Sequence, residues 1–239
     1  MVLKACYSTK MPSILYKMDG SPPARAVMMV IDILKLNHIE QRNLNPVLRE
    51  QDDPEIKKKN PMRTIPLLDE GDFWLADSHA IMIYLLEKYG KPEDSQLYPA
   101  DSRKRATVHQ RLFFDCGVFF PRLRAVMAPT YMGRLTELSK SMIRNIVDAY
   151  SVLEDYLSEN LYMADNVITI ADLSIASTLA TFVGLVPIDE KTFPKLKQWY
   201  NNMNETDYCK KINISGGKEH SDGLKALMEY NKFQQTSKL

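Results

Sequence analysis

The sequence predicts an α/β unit from about Ser13 to Gly90, followed by an all-helical unit from about Ala100 to Phe233. Three observations carry this reading. Ile65, Leu67 and Leu68 around Pro66, then Phe73, Trp74 and Leu75, flank the turn residues Asp69, Glu70, Gly71 and Asp72, the pattern of an antiparallel hairpin. A helical run follows at once, which Asp77 and Ser78 can cap and Gly90 can end. Beyond the polar, proline-containing stretch KPEDSQLYPADSR, apolar residues recur almost wholly at helical spacing.

In chain order, residues 1–12 lack periodicity and read as an extension, and a first strand is expected at about Ser13 to Lys17. Ser21 can cap a helix from about Pro22 to Lys35, since proline is tolerated in a first turn and Ala26, Val27, Val30, Ile31 and Leu34 share a face. A second strand is expected in HIEQRNLN, then a polar loop with a short helix up to Pro61. Lys57, Lys58 and Lys59 read as a solvated face, with steering of an anionic ligand as the functional alternative. Pro66 has no N–H to give a ladder, so its simplest place is an edge strand, and a cis peptide with backbone open to a partner is the alternative.

Residues 91–99 form the expected linker. After it, one long helix is expected from Arg103 to about Met127, with Phe113 and Phe114 as core residues, and a second from about Leu135 to Glu159. Thr169, with Asp172 three residues on, is a capping signature, and Ile168 and Leu173 can pack across that turn. FPKLKQWYNNM and GLKALMEYNKF read as two terminal helices, with 234–239 as a polar tail.

Composition narrows the function classes. The 239 residues carry 31 basic and 30 acidic side chains, net +1, so no bulk field favours nucleic acid or an anionic membrane. No apolar run approaches the roughly 18 residues of a membrane span, and the start lacks a signal-peptide core, which makes a cytoplasmic protein the expectation. Cys6, Cys116 and Cys209 are odd in number and widely spaced, which suits free thiols. His38, His79, His109 and His220 show no metal-ligand spacing, and no metal is expected.

TIPLLDEGDFWLADSHAIMIYL and the Ser-Pro-Pro-Ala-Arg run at Ser21 to Arg25 resemble cytosolic glutathione transferases, with the insect delta and epsilon classes close. The resemblance implies a thioredoxin-like α/β domain over 13–90, an all-helical domain over 100–233 and a homodimer. It further implies that glutathione is held by Ser21, Gln51, Arg63, Thr64, Ile65, Pro66, Asp77, Ser78 and His79, although a surface position is the simpler reading of His79. A wall for a hydrophobic co-substrate falls on Pro23, Phe120, Leu123, Arg124 and Met127. Gln51 and Arg63 stand where the family commonly has histidine, and His79 where it usually has arginine. Arg63 can pair with the glycyl carboxylate of glutathione but cannot give up a proton.

Ser21 has a plain account as a helix cap and a chemical one as donor to a thiolate. A glutathione thiol titrates at about 8.5, so lowering it by about two units requires roughly 2.7 kcal/mol of preferential thiolate binding. One charge-assisted hydrogen bond, about 1.5–3 kcal/mol, together with a helix N-terminus, about 0.3–1 kcal/mol, suffices. The reaction implied is conjugation of that thiolate to an electrophilic apolar compound. A carrier protein on the same scaffold is the alternative; a thiol-disulfide reductase would want cysteine in place of Ser21.

Overall fold

The computed structural model describes residues 12–237. The extension with Cys6 therefore lies outside the described residues, apart from Pro12 at its end. Strand β1 (Ser13–Lys17) leads through a turn into α1 (Pro22–Ile33), and β2 (Ile39–Asn43) returns parallel to β1, with Lys17 opposite Asn43. A parallel return requires a crossover, and α1 supplies it. The chain leaves α1 earlier than expected, because Lys35 turns it at φ 53°. The polar loop then carries a short helix, α2 (Pro54–Lys59).

The hairpin forms as predicted from β3 (Leu67–Asp69) and β4 (Trp74–Ala76), giving a four-stranded sheet of order β2-β1-β3-β4. The Ile65–Pro66 peptide is cis. Pro66 is no edge-strand residue, since β3 lies inside the sheet; it sits just ahead of the ladder, where its missing N–H leaves no gap. Tyr16 stands opposite Leu67, and Leu67 opposite Ala76. Lys17, Asn43, Pro66 and Asp77 therefore meet at one end of the sheet, and a one-residue slip would scatter them. Helix α3 (Ser78–Tyr89) starts at that end and stops at Gly90.

Helix α4 (Ser102–Phe114) continues through a π-helical turn, Asp115–Phe119, into α5 (Phe120–Tyr131). Phe113 is 68% exposed, against expectation, whereas Leu112 and Phe114 face the core. Helix α6 (Lys140–Tyr156) begins later than Leu135 because the Ser139 hydroxyl caps it, accepting from the Met142 N–H at 3.2 Å.

Helix α7 (Ile170–Leu185) is apolar all round and buried from Ile170 to Phe182, as such a helix must be. Its capping box closes as read: Asp172 accepts from Thr169 N at 2.8 Å and also from Met163 N and the Trp199 indole. Helix α8 (Pro194–Glu205) precedes a second π-helical turn, Cys209–Asn213, and α9 (Ile214–Thr236). That last helix is much longer than expected at both ends, so Gln234 to Thr236 belong to it and not to a tail. Gly216 and Gly217 hid its start, because a glycine pair weakens a helix locally.

Helix α1 packs on α3 on one side and on α7 on the other, so the sheet unit and the helical unit share one apolar core. No helix among the described residues is long and apolar enough to cross a membrane.

Candidate functional site: one end of the sheet

Ser21 occupies the N-cap of α1 with extended backbone, φ −78° and ψ 116°, yet its side chain makes no cap hydrogen bond. Part of the reason lies in the next two residues. Pro22 and Pro23 fill the first two helical positions and remove a donor that a capping hydroxyl would take. The hydroxyl is left available at the positive end of α1.

The loop entering β3 is built by Asn60, which sequence reading missed. Its buried amide donates to Thr64 O at 2.8 Å and to Thr64 Oγ1 at 3.3 Å. Ile65 packs against Leu44, Ile56 and Leu67, and strand pairing begins only at Leu67, so the Ile65 peptide groups stay outside the ladder. Arg63 sits at φ 54° and pairs with Asp52 at 3.2 Å. A partly exposed pair of this kind is weak, and a ligand carboxylate can displace Asp52. Gln51 donates from Nε2 to Pro46 O at 3.4 Å, while its Oε1 is buried without a protein partner. Of the three lysines, Lys59 is not solvated: it is tied to Asp69 at 2.5 Å and lies over the Trp74 ring.

Asp77 caps α3, its Oδ1 accepting from His79 N at 2.9 Å and Ala80 N at 3.1 Å. Its backbone stands at φ 76° and ψ 119°, a conformation that costs an ordinary residue about 1–3 kcal/mol and collects at functional sites. The bond from His79, together with the helix N–H groups, holds its carboxyl below the usual range despite burial. Ser78 follows, buried, as the first helical residue.

His79 departs from both of its expectations. It is neither a surface residue nor a free ligand donor, because both ring nitrogens are already engaged. Nδ1 lies 3.5 Å from Asp77 Oδ1, and Nε2 lies 2.9 Å from Ser174 Oγ and 3.5 Å from Asp115 Oδ2. Ser174 donates its own proton to Asp115, so the imidazole must donate to Ser174. Burial opposes charge here, but the Asp115 and Asp77 carboxylates outweigh it and raise His79 to about 9. Asp115 and Ser174, to which sequence reading assigned no role, thus join the N-terminal end of α3 to the π-helical turn and α7. The sequence signal was a polar residue set between apolar neighbours at each position, Asp115 after Phe113 and Phe114 and Ser174 between Leu173 and Ile175.

On the helical side Phe120 and Met127 are half-buried, Arg124 is exposed, and Pro23 is half-buried beside Ser21. Leu123 has no exposed surface, so it belongs to the core and lines no wall that a ligand can reach. A recess of about 800 Å³ lies on the other flank of α1, between Met28, Asp32, Lys35 and Ser215, and takes in none of the predicted site residues. Among the described residues no three His, Cys, Asp or Glu side chains stand close enough to hold a metal.

The glutathione S-transferase N-terminal domain family matches residues 15–93, and the glutathione S-transferase C-terminal domain family matches residues 136–207. The chain belongs to the glutathione S-transferase family. Glutathione S-transferase 1 of Manduca sexta is 41% identical over 203 residues, 84% of this chain and 92% of that protein. An epsilon-class glutathione S-transferase of the housefly, Musca domestica, superposes with a TM-score of 0.86 at 38% identity, covering 90% of this chain and 98% of the other. A glutathione transferase homologue from Drosophila mojavensis, solved with bound glutathione, superposes with a TM-score of 0.84 at 39% identity, covering 90% and 96%. The fold, the family and the insect affinity read from the motifs are borne out, and none of these relatives favours the carrier alternative.

Proposed function

We propose that this glutathione transferase uses Ser21 to hold the glutathione sulfur as a thiolate, which then attacks an electrophilic carbon of an apolar compound. The carbon–sulfur bond forms as the leaving group departs with its electron pair. The observation that carries this reading is the Ser21 hydroxyl, which stands at a helix N-terminus and makes no cap hydrogen bond. Donation from that hydroxyl and the field of α1 together meet the roughly 2.7 kcal/mol that two pKa units require.

The tripeptide is held along the sheet end. The Ile65 peptide groups ahead of Pro66 pair with its backbone, and the buried Gln51 Oε1 takes an N–H. Asp77 receives the γ-glutamyl ammonium, while Ser78 and the N-terminus of α3 receive its carboxylate. Arg63 and Thr64 lie beside the glycyl end. Phe120, Arg124, Met127 and Pro23 face the co-substrate, and proximity of the two reactants provides much of the acceleration. A cytosolic homodimer belongs to the same proposal, and the exposed Phe113 on α4 gives it apolar surface to bury.

Ser21→Ala is expected to lower kcat with an aromatic halide by about 100-fold while glutathione affinity changes by only about twofold. Equal losses in both, or none in either, would remove Ser21 from the chemistry.

A further inference from the structure

Arg25 is the most buried charged side chain near Ser21, with no exposed surface, and no carboxylate pairs with it. Its donors meet neutral oxygens instead. Nη1 donates to Gly20 O at 2.8 Å and Asp19 O at 3.3 Å, the two carbonyls immediately ahead of Ser21. Nη2 donates to Ser177 O at 2.6 Å and Thr181 Oγ1 at 3.2 Å on α7, and Nε donates to Asn213 Oδ1 at 2.9 Å. The Arg25 backbone N–H closes the first helical bond on Ser21 O at 3.0 Å.

The line continues beyond Thr181. Thr181 Oγ1 also shares a hydrogen bond with His220 Nδ1 at 3.2 Å, and His220 Nε2 shares one with the Tyr131 hydroxyl at 3.0 Å. Tyr131 lies on α5 eleven residues after Phe120, on the helical face that also carries Arg124 and Met127. Helix α9 is pressed against the same turn: a Cβ on Gly216 would come within 2.4 Å of Asp19 O and 2.7 Å of Arg25 Cδ.

We propose that Arg25 is a positioning residue for the Ser21 hydroxyl, fixing the Asp19–Gly20 turn to α7 and, through Thr181, His220 and Tyr131, to the co-substrate face of α5. The inference rests on the Ser21 reading. A buried fork with five neutral acceptors fits this task better than a point charge would, because its value is directional. Water cannot substitute for it in a closed core, and a turn left loose there would misplace the Ser21 oxygen. A misplacement of about 1 Å costs catalysis up to about 100-fold.

The test compares Arg25→Lys, Thr181→Val, Ser21→Ala and the Ser21→Ala/Arg25→Lys double variant, each first shown to unfold cooperatively. The readouts are the pH profile of kcat with an aromatic halide under saturating glutathione and the thiolate absorbance of bound glutathione. Arg25→Lys is expected to raise the apparent thiol pKa by about half a unit to one unit and lower kcat about 10-fold, with glutathione KM changed less than about threefold. Thr181→Val, which removes one anchor and keeps the volume, is expected to shift it in the same direction by less, and it stands in if Arg25→Lys does not fold. Arg25→Lys should add nothing to Ser21→Ala if it acts through that hydroxyl.

An unmoved thiol pKa in folded Arg25→Lys or Thr181→Val, with Ser21→Ala still raising it, overturns the positioning role alone. Full additivity in the double variant also overturns it, by making Arg25 an independent charge. If Ser21→Ala itself leaves the pKa unmoved, the reading of Ser21 fails and this inference fails with it.

Discussion

Two polar junctions join the sheet unit to the helical unit, one through His79 and the other through Arg25 with His220 behind it, and they hold the two histidines in opposite charge states. At the α3 junction, Asp77, Asp115 and Ser174 surround His79 with acceptors, and its pKa rises to about 9. At the α1 junction, His220 sits between the Thr181 and Tyr131 hydroxyls, where burial, aided by the Arg25 charge, lowers it to about 3. Burial alone would neutralise both. Neighbouring carboxylates decide the first case, and a neighbouring guanidinium reinforces the second.

The largest way to break this contrast is to remove the carboxylate. Asp115→Ala leaves a buried imidazolium without its main partner, and about 3 kcal/mol of stability is expected to disappear in urea unfolding at pH 6. A loss under about 0.5 kcal/mol would mean that His79 is not charged in the folded protein.

The pH dependence sharpens it further. His79 titrates higher when folded than unfolded, so its contribution is complete below about 6.5 and is lost as pH rises toward about 9. His220 titrates lower when folded, so its contribution is complete above about 6.5 and is lost as pH falls toward about 3. Each limb is expected to slope by up to about 1.4 kcal/mol per pH unit. His79→Arg, which pairs with Asp115 without titrating, should flatten only the alkaline limb, and His220→Gln only the acid limb. Thermal melts across pH 4–9 read both, and a variant that changes the other limb would show the two assignments to be reversed.

The smallest expected effect is at the outer end of the α1 junction. Tyr131→Phe removes the hydrogen-bond partner of His220 Nε2 beside partial solvent, and about 1 kcal/mol should be lost. The imidazole resonances of His220 are expected to shift in NMR spectra, whereas those of His79 stay in place. Movement of both would mean that the junctions are coupled through α7, which carries Ser174 and Thr181.

Local signals in the sequence carried much of the fold. The turn between Asp69 and Trp74, the Asp77 cap, the Gly90 stop and the Thr169–Asp172 capping box are written in adjacent residues, because each is a contact over a few positions. Predictions failed where distant residues decided. Phe113 looks like core until α4 is rotated by its neighbours, and α9 looks broken at Gly216 until α1 is brought against it. Lys59 reads as solvated until Asp69 arrives from β3.

The site divides in the same way. Sequence alone determined that a serine followed by two prolines opens α1 and that an acidic residue and a serine open α3, since helix caps are local chemistry. Only the tertiary structure decided that these starts share one end of the sheet, through strand register, and that Arg25, Asp115 and Ser174 lock them to the helical unit. The physical reason is that a buried polar group must find a partner wherever the fold supplies one, and the partner of Arg25 at Ser177 lies 152 residues along the chain.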